Sequence, residues 1–261
     1  MIFILVGIAV LSVISALLRW LTIAGSITAF ILGVIIYKGF GWQGFILLGL
    51  FFITSTLLTK WKKDKKQDQS TIHTEEKKGR TAGQVLANGG SALLAAIGEL
   101  TLSDPAWLIV FAATFATATA DTWASEIGVL SKRRPFHIKE WRNVEPGLSG
   151  AISSLGTVAA ALGASLIGVS FYFLYDTSLT VLLCIAISGF LGNVADTLFG
   201  AWFEQKYVCS ICKRETESSV HCGVKTVKVF GYAFFTNNLV NFSATFIGGL
   251  IAGGFYIWIV D

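Results

Sequence analysis

Long apolar stretches separated by short polar segments dominate the chain. A helix needs roughly 20 apolar residues to cross a bilayer. We count eight runs that approach or exceed this length, over residues 2–18, 21–37, 44–59, 82–99, 106–128, 148–173, 179–203 and 229–258. The pattern predicts an all-α, polytopic membrane protein with about eight transmembrane helices.

Composition agrees with this pattern. The 261 residues are 54% hydrophobic and only 14% charged, whereas soluble domains carry about 25% charged residues. The 27 glycines and the many Ala, Ser and Thr residues indicate helices that pack closely through small side chains. We expect membrane lipids around the protein and no nucleic-acid partner.

The basic residues predict an orientation. Of the 20 Lys and Arg residues, only Lys38 falls in a connection that follows an even-numbered run. Because basic loops stay in the cytoplasm, the other connections are expected there and both termini outside. This arrangement suits a bacterial or archaeal cell membrane.

A polar, Lys-rich segment at residues 61–80 divides the chain. It predicts a cytoplasmic linker between a three-helix N-terminal part at 1–60 and a five-helix core at 81–261. Its lysines would contact anionic lipid headgroups or, alternatively, a nucleotide.

Two apolar runs carry related acidic motifs. The stretch 115–128 contains Ala120-Asp121-Thr122, and the stretch 190–197 contains Ala195-Asp196-Thr197. An even number of crossings separates the two aspartates, so the motifs would form an internal parallel repeat. Ionisable residues inside a membrane segment are costly and indicate a functional site.

Four polar residues are expected at one depth. By their positions in four different runs they lie about 10–13 Å inside the helix ends. They are Asn88, Asp121, Asp196 and Asn237. They would form one site in the cytoplasmic leaflet or, alternatively, make independent interhelical hydrogen bonds.

Helical spacing extends this layer. Polar and small residues recur three or four positions apart on the runs that carry the aspartates and on the last run. The members are Thr114, Thr117, Asp121, Ser125 and Gly128; Gly189, Asn193, Asp196 and Gly200; and Asn237, Asn238 and Asn241.

Carboxylate and amide oxygens are ligands suited to Mg²⁺. Asp121 and Asp196 are therefore the candidate metal ligands, and together with Asn88 and Glu126 they are the candidate catalytic residues. Further candidates, as metal ligands, supporting polar groups or nucleotide contacts, are Asn88, Asn193, Asn237, Asn241, Ser125, Glu126 and Glu145. The layer indicates phosphoryl or nucleotidyl transfer that involves a lipid.

A basic run follows the first acidic motif. Lys132, Arg133 and Arg134 would hold nucleotide phosphates, because basic side chains suit phosphate oxygens. Alternatively, their charge only fixes the orientation of the chain in the membrane.

A third cluster combines thiols and an imidazole. Cys209-x2-Cys212 is followed by His221-Cys222. In a cytoplasmic loop these thiols are expected to be reduced, so they would form a structural Cys₃His zinc site, remain free or have a redox role.

The sequence resembles one family across residues 80 to 250. The matching motifs run from Ala120 to Gly128 and include Asn88-Gly89-Gly90, Pro135, residues 144–149, residues 196–201 and residues 237–241. They are similar to those of the DUF92 family of integral membrane proteins, which includes animal transmembrane protein 19.

One plant and cyanobacterial branch of that family is the phytyl-phosphate kinase of vitamin E synthesis. The resemblance implies a kinase of an isoprenoid monophosphate, with CTP or another nucleoside triphosphate as donor and Mg²⁺ as cofactor. The sequence leaves open a transporter for a cation or a phosphorylated lipid, and a non-catalytic scaffold. Prenyl chain, nucleotide and oligomeric state also stay open.

Overall fold

The structure, a computed structural model, describes residues 2–61 and 79–260 and is mainly helical in this part. The predicted linker therefore lies almost entirely outside the described residues. The helices are α1 (Ile2–Leu17), Ile23–Lys60, α4 (Ala82–Leu102), α5 (Ala106–Gly128), α6 (Ser154–Tyr175), α7 (Leu179–Trp202) and α8 (Asn237–Val260).

The helix Ile23–Lys60 is broken at Gly41, where φ is 66° and ψ is −160°. Only glycine adopts this backbone conformation readily. We name the two arms α2 (23–40) and α3 (42–60). The arms fold back on each other, since a Cβ placed on Gly33 would lie 3.3 Å from the ring of Phe45.

Helix α5 lies at the centre of the described bundle. Every residue from Phe111 to Ala120 is buried, and α5 contacts α4, α6, α7 and α8. Close approach is possible because glycines of the neighbouring helices face it. A side chain at Gly163, Gly189 or Gly248 would collide with the α5 backbone or with Thr117.

Five helices among the described residues are long and apolar enough to cross a membrane. They are Ile23–Lys60, Ala82–Leu102, Ser154–Tyr175, Leu179–Trp202 and Asn237–Trp258. Helix α5 is not one of them, and its central position explains this, because small and hydroxyl side chains pack on other helices where lipid is excluded. Eight crossings and a parallel repeat remain predictions.

Two connections fold into short strands rather than open loops. The α5–α6 connection holds β1 (Phe136–His137), β2 (Arg142–Asn143) and β3 (Ala151–Ile152), in the order β2-β1-β3. The α7–α8 connection holds β4 (Lys206–Val208), β5 (Glu215–Thr216), β6 (Val220–His221), β7 (Val224–Lys225) and β8 (Val227–Phe230). These form a β5-β4-β8 sheet and a β6-β7 hairpin.

The strands correct two predicted helix starts. The sixth run begins as helix only at Ser154, not at residue 148, since Ser153 caps the helix by accepting from Gly156 N. The eighth begins at Asn237, not at residue 229, because Val227–Phe230 pairs with β4. Asn237 therefore lies at a helix end, not about two turns inside a helix as its spacing predicted.

The N-terminal helices share a core with the rest. Phe40 packs on Phe111, and Phe51 stacks on Phe115, so α2 and α3 contribute to the cluster around α5. Arg80, at the end of the predicted linker, is hydrogen-bonded through its backbone to Trp20 and Thr22. The division into domains at 60 and 80 remains a prediction.

Candidate functional site

The two aspartates meet where α5 and α7 cross. The carboxyl groups of Asp121 and Asp196 lie next to each other, close enough for a hydrogen bond. Both aspartates are partly buried, and two adjacent carboxylates shielded from water repel each other strongly unless a proton or a cation lies between them. The sequence-predicted pair is therefore brought together in space.

Two of the predicted asparagines, Asn237 and Asn241 on α8, connect to the aspartate pair. With the amide of Asn241 oriented so that its nitrogen faces these acceptors, it donates to Asp196 Oδ1 at 3.2 Å and to the carbonyl oxygen of Asn237 at 3.1 Å. Asn241 thus ties the acidic pair to the first turn of α8.

Two glutamates extend this arrangement beyond the helices. Glu204 is 2% exposed, and the side chains of Ser149 and Asn237 lie against its carboxyl group. Ser149 N donates to Glu217 Oε1 at 2.8 Å. A continuous polar chain results, which we name the acidic chain and define as Asp121, Asp196, Asn241, Asn237, Glu204, Ser149 and Glu217.

The outer half of the acidic chain has unusual proton affinity. Burial, and then the charge of Glu217, raises the pKa of Glu204 to about 9. Burial also raises the pKa of Glu217 above its ordinary value. Glu204 Oε2 is buried and has no hydrogen-bond partner in the part of the chain that the structure describes, so this oxygen is available to a cation.

Sequence reasoning missed Glu204 and Glu217. Glu204 comes two residues after the end of α7, where a carboxylate usually faces water. Glu217 lies between the cysteine pair and His221. Only the folding of both connections over the helix ends brings these residues to the aspartates, and no local spacing encodes that contact.

A buried cation joins the two connections. Lys206 Nζ lies 2.6 Å from His137 Nε2 and 3.3 Å from Glu140 Oε1, and His137 is fully buried. Burial and the charge of Lys206 lower the pKa of His137. Burial by itself would raise the pKa of Glu140, but the hydrogen bond and charge of Lys206, together with His137 and Arg142, lower it below its ordinary value. Lys206 was not among the predicted site residues.

The basic run that was predicted to hold nucleotide phosphates lies on the surface. Lys132, Arg133 and Arg134 are exposed, and Arg134 pairs with exposed Glu145 at 3.2 Å. Glu145 is therefore placed with the basic run and not in the acidic chain. Exposed arginine and lysine side chains remain accessible to an anionic ligand.

Other predicted residues are held elsewhere. Glu126 accepts from Thr59 Oγ1 at 2.7 Å and so faces α3. Ser125 is exposed and bonds back to Thr122 O at 3.1 Å. Asn88 donates to Gln84 O at 3.0 Å on α4. None of these three hydrogen bonds ends on a residue of the acidic chain.

Asn193 is buried one turn before Asp196 on α7. It shares a helix face with Asp196, as its spacing predicted. Further up α5, the hydroxyls of Thr114 and Thr117 donate to carbonyl oxygens of their own helix at 2.7 and 3.0 Å. The upper part of the predicted polar stripe therefore serves helix packing.

The four residues of the third cluster converge. The sulfur atoms of Cys209, Cys212 and Cys222 and a ring nitrogen of His221 all lie within 4.8 Å of one another. The three cysteines are unpaired with one another as disulfides. Among the described residues, this is the one group in which three or more thiol, imidazole or carboxylate ligands lie close enough together to bind a single ion.

The chain is similar to several membrane proteins. An uncharacterised membrane protein of Methanocaldococcus jannaschii is 35% identical over 238 residues, 89% of this chain and 84% of its own length. Protein PGR of Arabidopsis thaliana is 29% identical over 85% of this chain and 84% of its length. Protein VTE6, chloroplastic, of Arabidopsis thaliana is 26% identical over 73% of this chain and 58% of its length.

No solved structure is significantly similar to the chain. The family comparison covers nearly all of it, since the model described as integral membrane protein DUF92 matches residues 6–249. The chain therefore belongs to the DUF92 family of integral membrane proteins.

Proposed function

We propose that the protein is a Mg²⁺-dependent kinase that transfers a phosphoryl group from CTP or another nucleoside triphosphate to an isoprenoid monophosphate at the cytoplasmic membrane face. The observation that carries the proposal is the contact of Asp121 with Asp196 at one end of the acidic chain. An acidic centre beside a basic loop is the arrangement that phosphoryl transfer requires.

Family membership supports the substrate class. The Asp-Thr-Trp-Ala-Ser-Glu motif beginning at Asp121 resembles that of the DUF92 family, one branch of which is the phytyl-phosphate kinase, and VTE6 is a relative at 26% identity. The match supports a prenyl or phytyl phosphate as acceptor. The nucleotide and the chain length of the lipid are for experiment to assign.

The donor set fits a magnesium ion. Asp121 and Asp196 offer adjacent carboxylate oxygens. Mg²⁺ prefers one or two carboxylates together with phosphate oxygens and water. When bound, such an ion supplies charge neutralisation for the phosphoryl group in transfer.

The side chains of the site would have separate roles in binding and positioning the substrates. Asp121 and Asp196 position the charged centre, and Asn241 fixes Asp196 through its amide. Lys132, Arg133 and Arg134 hold the nucleotide phosphates from the exposed loop. The acceptor phosphate is already anionic at neutral pH, so the reaction needs no strong general base.

The lipid tail would enter beside the acidic chain from the bilayer. Four aromatic side chains cluster just after the C-terminal end of α7 and just before α8, namely Phe203, Tyr232, Phe234 and Phe235. Phe234 is 66% exposed and Tyr232 is 56% exposed. Aromatic residues favour the membrane interface, which suits contact with a prenyl chain.

Transport is the alternative. It would need a polar path from the acidic pair to the outer side. On α5 the residues from Phe111 to Ala120 are buried, and the hydroxyl groups of Thr114, Thr117 and Thr119 are bonded to their own helix. This packing favours access from one side, as expected for a kinase.

The test is a substrate panel. The purified full chain, in detergent or nanodiscs, is incubated with Mg²⁺, with phytyl, geranylgeranyl or farnesyl monophosphate, and with CTP, UTP, GTP or ATP. The proposal expects an isoprenoid diphosphate from at least one combination. If the protein is folded and no combination gives a diphosphate, the proposal is wrong. Cation or lipid flux in proteoliposomes would then support the transporter.

A further inference from the structure

Two hairpin ends face each other in the α7–α8 connection. Cys209 and Cys212 lie in the turn between β4 and β5, and His221 and Cys222 lie at the turn between β6 and β7. The pairs are separated by eight residues in the chain, and their ligand atoms still lie within 4.8 Å of one another.

The adjacent His-Cys pair is explained by its backbone. Neighbouring side chains of a strand point to opposite faces, so they cannot bind one ion from an extended segment. Here Cys222 has φ 51° and Gly223 has φ 75°, which makes the tight turn of a hairpin. The turn brings the Cys222 sulfur to the same side as the ring of His221.

The interatomic distances match a metal tetrahedron. His221 Nδ1 lies 3.4 Å from Cys212 Sγ and 3.2 Å from Cys222 Sγ. In a tetrahedral zinc site, bonds of about 2.3 Å to sulfur and 2.0–2.1 Å to nitrogen put these atoms about 3.5 Å apart. We propose that Cys209, Cys212, His221 and Cys222 bind one structural Zn²⁺ ion.

The zinc site would hold Glu217 in place. Residues 213–220 lie between the two ligand pairs, and within them Glu217 accepts from Ser149 N while Glu215 pairs with Arg142 at 3.4 Å. Short hairpins with so little apolar surface are weakly stable alone, and a metal supplies the missing folding free energy. The site thus fixes the outer end of the acidic chain. Zinc binding itself does not rest on the proposed kinase activity.

Metal content tests the site directly. The full chain, purified without chelators, is analysed for metals by mass spectrometry, and about one zinc ion per chain is expected. Cys212→Ser and Cys222→Ser should lower the content at least about fivefold. Cys184→Ser is the matched control and should keep the wild-type content, because Cys184 is buried in α7, away from the loop.

A second measurement uses the wild-type protein, so it tests the site even if the cysteine variants do not fold. The wild-type protein is stripped with a chelator and titrated with Co²⁺. Bound cobalt should give the strong thiolate charge-transfer and visible bands of tetrahedral sulfur coordination, and Zn²⁺ should displace them. Zinc-free wild-type protein that gives no such bands, or Cys212→Ser protein with full zinc content, would overturn the proposal.

Limited proteolysis tests the structural role. Lys213 and Arg214 are exposed trypsin sites inside the ligand loop. Chelation should speed cleavage there by about tenfold or more, and added Zn²⁺ should reverse the effect, because the metal-free hairpins open more often. Equal cleavage rates with and without bound zinc would show that the ion does not order this loop.

Discussion

At the residue scale, the site depends on how buried carboxyl groups are neutralised. Glu204 is almost fully buried beside Glu217, and its Oε2 has no hydrogen-bond partner. A proton or a cation must therefore compensate its charge. Neutralisation by a proton and neutralisation by a cation have opposite consequences for how stability depends on pH. Glu204 can therefore be used to tell the two apart.

Without divalent cations, the wild-type protein should lose stability as pH rises. The folded-state pKa of Glu204 is raised from 4.5 to about 9. Its contribution is therefore fully present below about pH 4.5 and is lost as pH rises towards 9. Each pH unit in that window corresponds to at most about 1.4 kcal/mol. Glu204→Gln should flatten the dependence in thermal unfolding with EDTA.

Exposed Glu145 provides the control, since Glu145→Gln should keep the wild-type slope. Identical slopes for wild type and Glu204→Gln would contradict the buried position of this carboxyl group. Added Mg²⁺ should raise the midpoint of the wild-type protein at alkaline pH, because cation binding favours the ionised form.

The sequence predicted part of this site. Asp121, Asp196 and Asn241 were found because ionisable and amide residues stand out in apolar helices. Glu204 and Glu217 were not, because they reach the site through loop folding. Glu126 was predicted as a site residue from its place in the motif, and the structure shows it accepting a hydrogen bond from Thr59 on α3, so its site role stays a prediction.

At the scale of elements, hydrophobic length alone predicted some helices well and others poorly. The run 106–128 coincides with α5 because polar residues bound it on both sides. The predicted helix start at residue 229 is wrong because Val227 and Val229 belong to a strand paired with β4. A count of apolar residues cannot tell a short strand from the first turns of a helix.

The break at Gly41 gives a test at this scale. Gly41→Ala should lower stability by about 1–3 kcal/mol, because φ 66° and ψ −160° form a region almost closed to residues with a Cβ. The loss should appear as a lower thermal unfolding midpoint of the purified protein.

Gly49→Ala is the matched control on α3. A Cβ there meets nothing within 4 Å, so the change should be neutral or slightly stabilising. If both variants unfold at the same midpoint, the reversal between α2 and α3 at Gly41 is wrong.

At the scale of the whole molecule, small residues surround α5, and large apolar side chains face outward. Phe173 is 77% exposed and Phe3 is 92% exposed, as lipid-facing residues are. The sequence predicted the membrane class from this excess of apolar residues. It could not predict that α5, with its many small and hydroxyl residues, is the central helix.

Orientation is testable by labelling. The distribution of basic residues predicts that the α5–α6 connection lies in the cytoplasm and the α4–α5 connection outside. In intact cells, a membrane-impermeant maleimide should label Asp104→Cys and should label Lys132→Cys only after permeabilisation. The reverse result would invert the topology and place the acidic chain on the outer side.

The most direct measurement is the rate of isoprenoid diphosphate formation by Asp121→Asn and Asp196→Asn proteins, using the best substrate pair from the panel. Glu99→Gln is the control, because Glu99 lies near the C-terminal end of α4, beside Tyr175 and away from the acidic chain. We expect each aspartate variant to lose activity by at least about 1000-fold while it stays folded, and the control to keep its rate. Aspartate variants as active as the control would contradict the account.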